Sequence, residues 1–528
     1  TKNNYIMNEN KKSSLWTVIG ASSVGTMIEW YDFYIFGSLA TIISTKFFPS
    51  DNPTAAFLST LATFAAGFVV RPFGALFFGR LGDLIGRKYT FMVTLVLMGG
   101  ATFLIGCIPS YETIGFLAPT LVLILRLLQG LALGGEYGGA ATYVAEHAGP
   151  GQRGYWTSWI QTTATIGLFV SLIVIMTTKS SMSKEAFEDW GWRVPFWVSI
   201  LMILVSYMIR KNMSESPEFA KVKAEGKTSK NPLKESFGNK LNFKFVLLAL
   251  FGLVMGQGVV WYTGQFYAMS FIEKVMGLSD QVGDIMMYAI LMATPFFVFF
   301  GWISDKIGRK WLMLAGILIA VVAYRPIYRA MYETASIKNK TEITEKTVVL
   351  AETKENKAKA LDSVYTTTKE FTDGATWKEV KTVTLENGVA KIGDDGKPKV
   401  EVKKTMVVNE SDKWALVWLV FIQIFLVTVV YGPTAAFLVE LFPAKIRYTS
   451  MSLPYHIGNG IFGGLLPAVA TSLVAAATKA NDAAAEAGQA VAVAEPYLQG
   501  LWYPIIIGAI CFIIGAIYVD GKSTSHKH

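Results

Sequence analysis

Charged side chains lie within apolar runs of this chain, where they are costly unless they face a partner or a cavity. Glu29 and Asp32 occur in the first apolar run, and their i, i+3 spacing places both on one helix face. Arg126 occurs in the fourth run and reaches a similar outer depth, at a helical rise of about 1.5 Å per residue. Arg71 in the second run and Glu136 in the fourth reach a similar inner depth. We therefore predict one pair of Arg126 with Asp32 or Glu29, and another of Arg71 with Glu136.

These pairs support two interpretations. In the first, Asp32, Glu29 and Glu136 take up and release protons, while the arginines, which stay protonated, hold an anionic group of a substrate. In the second, the pairs are permanent and only fix the packing of the helices. The two cysteines, Cys107 and Cys511, lie in separate apolar segments, and no cluster of histidine and cysteine accompanies them. We therefore predict no metal site and no cofactor.

Further candidates for substrate binding are polar or aromatic side chains within the apolar runs. An aromatic ring can accept a quaternary ammonium group by a cation–π contact, although aromatic side chains in membrane spans also serve packing alone. A lone histidine such as His456 is more simply hydrogen-bonded. Besides Arg126 and Arg71, the candidate substrate-binding residues are Tyr31, Gln129, Gln257, Trp261, Tyr262, Gln265, Tyr455 and Asn459.

The elements that must position these residues are membrane-spanning helices. Hydrophobic residues make up 52% of the chain and charged residues 16%, which excludes an ordinary soluble protein. The short loops after even-numbered runs carry the basic residues, so both termini are expected in the cytoplasm and the net charge of +9 does not indicate nucleic-acid binding. The twelve predicted spans are roughly 15–40, 54–79, 89–108, 117–145, 156–178, 193–210, 245–271, 282–303, 311–331, 414–438, 450–475 and 499–519.

Two internal repeats indicate a duplicated helical transporter. A Gly-x-x-x-Asp-x-x-Gly-Arg-Lys element between apolar runs starts at Gly79 and again at Gly301, and a glutamate precedes an arginine by seven residues after spans four and ten. We interpret these residues as conformational gates. The predicted gating residues are Gly79, Asp83, Gly86, Arg87, Asp305, Gly308, Arg309, Glu146, Arg153, Glu440 and Arg447.

The spans and their loops predict an organisation in two halves. Residues 1–14 form a cytoplasmic N-terminus, 15–210 the first six-helix bundle, 211–244 a basic cytoplasmic linker, 245–519 the second bundle and 520–528 a cytoplasmic tail. The second bundle contains an extracytoplasmic insertion at 332–413, which has fifteen lysines and fifteen acids. Alternating residues at 381–385 and 399–402, with Glu-Asn-Gly between them, suggest a small β-hairpin, with disorder as the alternative.

The paired Gly-Asp-Gly-Arg-Lys elements and Arg-x-x-Gln-Gly at 126–130 resemble the major facilitator superfamily. Within it, the motifs at 29–33, 71–74, 134–139, 155–158, 215–219 and 457–464 resemble the metabolite:proton symporters, which include permeases for proline/betaine, α-ketoglutarate, shikimate and citrate. The resemblance implies an all-α membrane protein with twelve transmembrane helices in two pseudo-symmetric six-helix bundles. It also implies a multi-pass protein of the bacterial inner membrane that works by alternating access.

The function expected from the residues and the resemblance together is proton-coupled symport that imports a small organic anion or zwitterion. Its partners are the substrate, protons and the lipid bilayer. One alternative is a proton-coupled antiporter that exports small molecules, and another is a transporter-like sensor whose insertion at 332–413 binds a ligand. An enzyme is not expected, because no nucleophile–base pair, phosphate loop or metal spacing occurs. The sequence leaves the substrate, the proton number and the oligomeric state open.

Overall fold

The computed structural model describes residues 15–48, 59–60, 63, 66–211, 213–355, 361–386, 389–392, 398 and 400–519. Long helices dominate this part of the chain, and we number them α1 to α12 in chain order. They are α1 Leu15–Ser38 (followed after a turn by Ala40–Phe47), α2 Arg71–Leu84, α3 Arg87–Ile105, α4 Leu117–His147, α5 Arg153–Ser180, α6 Gly191–Lys211, α7 Lys240–Val275, α8 Val282–Ile307, α9 Arg309–Ala335, α10 Glu410–Leu441, α11 Arg447–Glu486 and α12 Pro496–Tyr518.

Ten of these helices, α3 to α12, are long and apolar enough to cross a membrane. The predicted start of the second span at 54–58 lies outside the described residues. The helices form two halves, α1–α6 and α7–α12, and most of the buried apolar side chains belong to separate clusters in the two halves. This is the predicted twelve-helix architecture. Several helices extend beyond the predicted spans, most of all α11, which continues to Glu486.

Two glycines with positive φ begin corresponding helices in the two halves. Gly86 precedes α3 with φ 127°, and Gly308 precedes α9 with φ 93°. Side chains with a Cβ rarely adopt this conformation, which explains why the repeated motif carries glycine at both places. The motif therefore sets the sharp turn between the second and third helices of each half.

Helices α7 and α11 cross closely next to the polar residues of the second half. A Cβ at Gly258 would lie 2.4 Å from the carbonyl oxygen of Gly458, so the two backbones touch. The segment Ile457–Gly463 of α11 has π-helical geometry, which widens the helix locally and turns Asn459 towards Gln257. Single π turns inside α-helices are frequent at functional sites.

In the residues that the structure describes, the insertion between α9 and α10 forms a five-stranded antiparallel sheet. Its strands are β1 Val348–Glu355, β2 Leu361–Glu370, β3 Thr376–Glu386, β4 Val389–Ala390 and β5 Val400–Val407. Lys381 of β3 pairs with Val402 of β5, as an antiparallel hairpin of these segments requires, and Asn387 and Gly388 lie outside the described residues. The sheet is larger than the predicted hairpin, because β1 and β2 combine valines with threonines and charges that hide the alternation.

The sheet is attached to the second half of the bundle. Gln281, between α7 and α8, donates to and accepts from the backbone of Val408 at 2.9 Å. The Lys340 ammonium bonds Asp373 at 2.5 Å and Asp412 at 2.6 Å, which ties the insertion to the start of α10. We call this end of the bundle the sheet face. The opposite end, where the segment between α6 and α7 lies, is called the linker face.

Candidate functional site

The first charged pair of the site joins α1 and α4. Arg126 Nη1 lies 2.7 Å from Asp32 Oδ2, and both side chains are about 5% exposed. The other carboxylate oxygen of Asp32 accepts from Gln129 Nε2 at 2.9 Å and from Thr102 Oγ1 at 3.1 Å. Of the two predicted partners of Arg126, the structure shows Asp32. Glu29 pairs with a different arginine. Gln129, a predicted substrate ligand, is engaged in holding this pair.

The second charged pair differs from the prediction. Arg71 Nη1 lies 3.4 Å from Glu29 Oε1, and both side chains are about 15% exposed. The predicted pair of Arg71 with Glu136 is wrong, because equal depth does not decide which way a side chain points around its helix. Glu136 points away from the cavity towards α3 and α6, where it contacts Arg210 at 2.6 Å.

The Glu136–Arg210 pair is a finding that the sequence did not reveal. Thr94 donates to Glu136 at 2.8 Å, and the Arg210 guanidinium stacks on the Phe91 ring at 3.4 Å. Gly25 of α1 makes room, since a Cβ there would lie 1.8 Å from Glu136 Oε1. Arg210 ends a span just before the basic linker, where an arginine is expected to face the cytoplasm. A fully buried pair within one half has the features of a packing element.

Two small adjoining cavities share Glu29 and Arg71, and we call them together the central cavity. The first, of about 20 Å³, also contacts Asp32 and Arg126. The second, of about 30 Å³, lies between the two halves. Each has room for one or two water molecules. A metabolite therefore requires a rearrangement of the surrounding side chains or of the two halves. The residues of the second cavity are Glu29, Trp30, Arg71, Tyr137, Trp261, Tyr262, Tyr431, Tyr455, His456, Asn459 and Gly460.

Aromatic contacts close the central cavity towards the sheet face. The rings of Trp30 and Trp261 are 5.0 Å apart, and those of Phe33 and Phe266 are 4.8 Å apart. Each contact joins α1 of the first half to α7 of the second. These ring contacts between α1 and α7 therefore lie between the central cavity and the sheet face.

A third aromatic contact joins α4 to α11. Tyr137 and Tyr455 stack with their ring centroids 3.8 Å apart, and the Tyr455 hydroxyl hydrogen-bonds that of Tyr431 at 2.6 Å. Gln161 donates to the Tyr137 hydroxyl at 2.9 Å. Three tyrosines and one glutamine thus meet where the two halves touch. The tyrosine hydroxyl groups can donate to a bound solute.

The remaining predicted ligands divide into two groups. Gln257 and Asn459 bond each other through both amide groups, at 3.1 and 2.9 Å, and Asn459 contacts the cavity. Tyr31 is misplaced by the prediction, because it points into the packed first half and its hydroxyl donates to the carbonyl of Pro195 at 2.6 Å. Gln265 is buried in α7 and contacts neither part of the central cavity.

The cavity also contains residues that the sequence interpretation missed. These are Trp30, Tyr137 and Tyr431, besides His456, which was set aside. Trp30 directly follows Glu29, so its place beside a predicted site residue could have indicated it. Tyr431 is part of no charged motif, and its role in the cavity wall follows only from the packing of α10 against α11.

The first copy of the repeated motif contacts the second half at the linker face, and we call this contact the first junction. Asp83 accepts from the backbone N–H of Thr449 at 2.8 Å, at the start of α11. Arg87 lies 3.0 Å from Asp83 and 3.3 Å from Glu146, and Arg447 lies 2.9 Å from Glu146. All these charged groups are buried, and together they join α2, α3 and α4 to α11.

The second copy makes the corresponding contact with the first half, the second junction. Asp305 accepts from the backbone N–H groups of Gly154 and Tyr155 at 2.8 Å each, at the start of α5. Arg309 lies 2.9 Å from Asp305 and 2.6 Å from Glu440. The two junctions thus repeat the same acceptor at the same kind of helix start.

The segment after α6 reinforces the first junction. Glu215 accepts from the backbone N–H of Arg87 at 3.1 Å, and Ser216 donates to Glu146. Glu218 contacts Arg447 at 2.5 Å and also pairs with Arg153. The symmetry of the repeats would place Arg153 beside Glu440, but its carboxylate partner is Glu218.

Glycine is required where the halves approach most closely. A Cβ at Gly79 would lie 2.9 Å from the Thr449 Cα, and one at Gly301 would lie 2.5 Å from the Gly154 carbonyl oxygen. The repeated motif therefore supplies close approach at its first glycine, an acceptor at its aspartate and a turn at its second glycine.

Comparisons with known proteins agree on one family. The profile of the sugar (and other) transporter family matches residues 17–344. The α-ketoglutarate permease of Escherichia coli (strain K12) is 34% identical over 344 residues, which are 64% of this chain and 76% of the permease. The proline/betaine transporter of the same organism is 34% identical over 319 residues, which are 59% of this chain and 63% of that protein.

Two further comparisons extend over more of the chain. The citrate-proton symporter of Klebsiella pneumoniae is 28% identical over 453 residues, which are 85% of this chain and 83% of the symporter. A solved proton:xylose symporter of the major facilitator superfamily superposes with a TM-score of 0.60 at 15% identity, over 96% of this chain and 97% of its own. The latter shows the fold. The chain belongs to the sugar (and other) transporter family, is a multi-pass membrane transporter and not an enzyme, and has the fold of the major facilitator superfamily.

Proposed function

We propose that this family member is a proton-coupled symporter that imports a small organic anion or zwitterion by alternating access. The observation that carries the proposal is the meeting of two carboxylate–arginine pairs, Glu29–Arg71 and Asp32–Arg126, at the central cavity, whose second part lies between the two halves. Carboxylates can take up protons at such a place, whereas arginines remain charged. The site can therefore exchange a proton for the negative group of a substrate.

Glu29 is the first proton acceptor in this proposal. Its contact with Arg71 is the longer of the two, at 3.4 Å, and the pair lies between the two parts of the central cavity. Arg71 Nε is buried without a hydrogen-bond partner in the described part of the chain. Protonation of Glu29 weakens its hold on Arg71, which then binds a substrate carboxylate in a charge-assisted contact. Asp32, held by three donors, is the second acceptor.

The charges of the cavity limit what it can enclose. Its two carboxylates and two arginines cancel, so a neutral solute leaves the closed site neutral. An anion with one net negative charge leaves it neutral only when one carboxylate is protonated, and burial of an unbalanced charge is costly. For an anionic substrate, the number of protons carried should therefore equal its net negative charge, up to two. A zwitterion can place its carboxylate at Arg71 and its cationic group among Trp30, Trp261 and Tyr262.

The second half contributes hydrogen-bonding groups to substrate recognition. Gln257 and Asn459 face each other next to the cavity, and Tyr431 and Tyr455 present hydroxyl groups from α10 and α11. Release of these mutual hydrogen bonds would free donors and acceptors for a solute. We assign proton coupling to the first half and much of the selectivity to the second.

The two junctions serve as gates in this proposal. Both join the halves at the linker face, so their separation would open the cavity on that side. The basic linker supports a cytoplasmic position of the linker face, by the positive-inside rule. The substrate then enters from the sheet face and leaves at the linker face, across the bacterial inner membrane.

Uptake into proteoliposomes tests the proposed function. We would measure uptake of labelled α-ketoglutarate, citrate, proline and glycine betaine, with and without an inward proton gradient, and use protein-free vesicles as the control. Accumulation of one compound only with the gradient is expected. Equal flux with and without the gradient would make the protein a facilitator and contradict proton coupling. Efflux driven by the opposite gradient would favour an exporter, and no flux at all would favour a sensor.

A further inference from the structure

Two arginines at the sheet-face end of α9 lie on the outside of the bundle, away from the central cavity. Arg329 binds Glu495, just before α12, through two contacts of 2.7 and 2.9 Å. Arg325, one turn nearer the middle of α9, reaches the same carboxylate through a single contact of 3.3 Å. Arg325 Nη1 is buried and has no hydrogen-bond partner in the described part of the chain. Both arginines thus pair with one carboxylate, and a second, exposed carboxylate, Glu333, lies one turn after Arg329 and interacts with the neighbouring Tyr497.

Arg325 lies just inside the sheet-face edge of the hydrocarbon layer. It follows Arg309, at the linker-face end of α9, by sixteen residues, which is about 24 Å along the helix. The hydrocarbon layer of a bilayer is about 30 Å thick. The Arg325 guanidinium lies 5.1 Å from the ring of Trp502, which is 45% exposed. Tryptophan at this depth is typical of the membrane–water interface.

An apolar groove runs from this cluster towards the linker face. Helices α9 and α12 cross closely at Gly508, where a Cβ would lie 2.7 Å from the Val321 side chain. Beside the crossing, both helices expose aliphatic side chains on the same stripes that carry the arginines and the tryptophan. They are Leu318, Ile319 and Val322 of α9 and Ile506, Ile510, Ile513 and Ile517 of α12.

We propose that the α9–α12 groove binds a phospholipid, whose phosphate contacts Arg325 and Arg329 and whose acyl chain lies along the isoleucines of α12. Both arginines share the one carboxylate with which they pair, which leaves guanidinium N–H groups for a phosphate, and planar guanidinium groups bind phosphate through two parallel hydrogen bonds. The hydrogen bond from Arg329 also lowers the pKa of Glu495 and keeps it ionised. An anionic headgroup such as phosphatidylglycerol is favoured over a net-neutral one.

Native mass spectrometry of the full-length protein tests this site. The purified protein would be titrated with phosphatidylglycerol and, separately, with phosphatidylcholine, and the bound lipids counted. We expect Arg325→Gln to weaken retention of phosphatidylglycerol about fivefold, and the double variant with Arg329→Gln to weaken it further. The matched control is Lys184→Gln, which removes an 83% exposed cation at the sheet face of the first half. Arg325→Lys, which keeps the charge but not the planar fork, should retain an intermediate amount.

Thermal unfolding distinguishes binding of a lipid from binding of a free anion. It also shows whether a variant has a folding defect. The native protein should be stabilised by phosphatidylglycerol but not by inorganic phosphate, and Arg325→Lys and Arg329→Gln should each lose part of that stabilisation. Equal lipid retention by native protein and the arginine variants would overturn the proposal. So would equal stabilisation by inorganic phosphate, which would indicate an anion site without an acyl chain. Neither readout depends on the transported substrate.

Discussion

The two halves of this transporter share the elements that join them and differ in the side chains that they present to the cavity. Both carry the aspartate that accepts from a helix start, at Asp83 and at Asp305. Among the described residues, the first half alone places carboxylate–arginine pairs at the central cavity. The second half presents amides and tyrosine hydroxyls there. The duplication thus retains the two junctions, while the carboxylates at the cavity belong to one half.

The largest expected effect on stability concerns the buried Glu136–Arg210 pair of the first half. We expect Arg210→Ala to lower the free energy of unfolding by about 3–5 kcal/mol, because it leaves a buried carboxylate without its partner. Thermal unfolding in detergent measures this loss. Replacement of both partners, Glu136→Leu with Arg210→Met, should recover part of it. Normal stability of Arg210→Ala combined with lost proton coupling would show that the pair takes part in transport.

The next prediction is that proton coupling depends on the charged pairs of the first half and not on the polar residues of the second. We expect Glu29→Gln and Asp32→Asn to abolish accumulation driven by a proton gradient while exchange of labelled for unlabelled substrate continues. The physical reason is that an amide has no proton to carry but still fills the site. Uptake and exchange in the same proteoliposomes measure both. The matched control is Gln257→Ala in the second half, and gradient-driven accumulation by the Glu29→Gln variant would argue against Glu29.

The junction glycines compare the two gates directly. Gly301→Ala should open the linker face, because its Cβ would lie 2.5 Å from a backbone oxygen that cannot move out of the way. Gly79→Ala should act similarly, and Gly100→Ala, with nothing within 4 Å of the added Cβ, is the control. Thiol labelling of Ser304→Cys from the linker face measures opening. Unchanged labelling in Gly301→Ala would show that the junction does not gate access.

The contacts of the linker with the first junction predict that the two junctions open to different extents when their aspartates are replaced. Asp305→Asn should increase opening more than Asp83→Asn, because Glu215 and Glu218 still hold the first junction together. The same labelling assay measures the difference. Addition of Glu218→Gln to Asp83→Asn should raise opening to the level of Asp305→Asn. Equal opening in the two single variants would mean that the linker contacts contribute nothing.

The smallest expected effect concerns recognition by the second half. Loss of one hydrogen bond costs about 1 kcal/mol, so Gln257→Ala should raise KM about fivefold at unchanged proton number. Initial uptake rates over a range of substrate concentrations give KM. A changed proton-to-substrate ratio in this variant would contradict the division of roles between the halves.

The sequence predicted the architecture because its signals are local. Apolar runs of membrane length, basic loops and the two copies of the motif are readable without knowledge of packing. The partner of Arg126 was also within reach, since Asp32 was one of two acids at its depth. The size of the sheet was not, because pairing of β1 with β2 depends on contacts between segments of weak alternation.

The errors in the site concern the direction of side chains around their helices. Helical rise gives depth, but Arg71 and Glu136 at equal depth point to different neighbours. Tyr31 was misplaced for the same reason. It lies one residue from Trp30 but faces the packed interior of the first half. Arg210 was missed because a basic residue at a span end has an ordinary explanation. A longer-range signal, such as the glycine at position 25, becomes interpretable only when the neighbouring helix is known.

Proton movement measured together with substrate exchange tests the central claim most directly. Proteoliposomes with an external pH indicator would receive a transported substrate, with native protein and with the double variant Glu29→Gln, Asp32→Asn. The account predicts external alkalinisation with the native protein, and substrate exchange without any proton movement in the double variant. Proton movement of native size in the double variant would contradict it, and proton coupling would then have to be sought outside these two carboxylates.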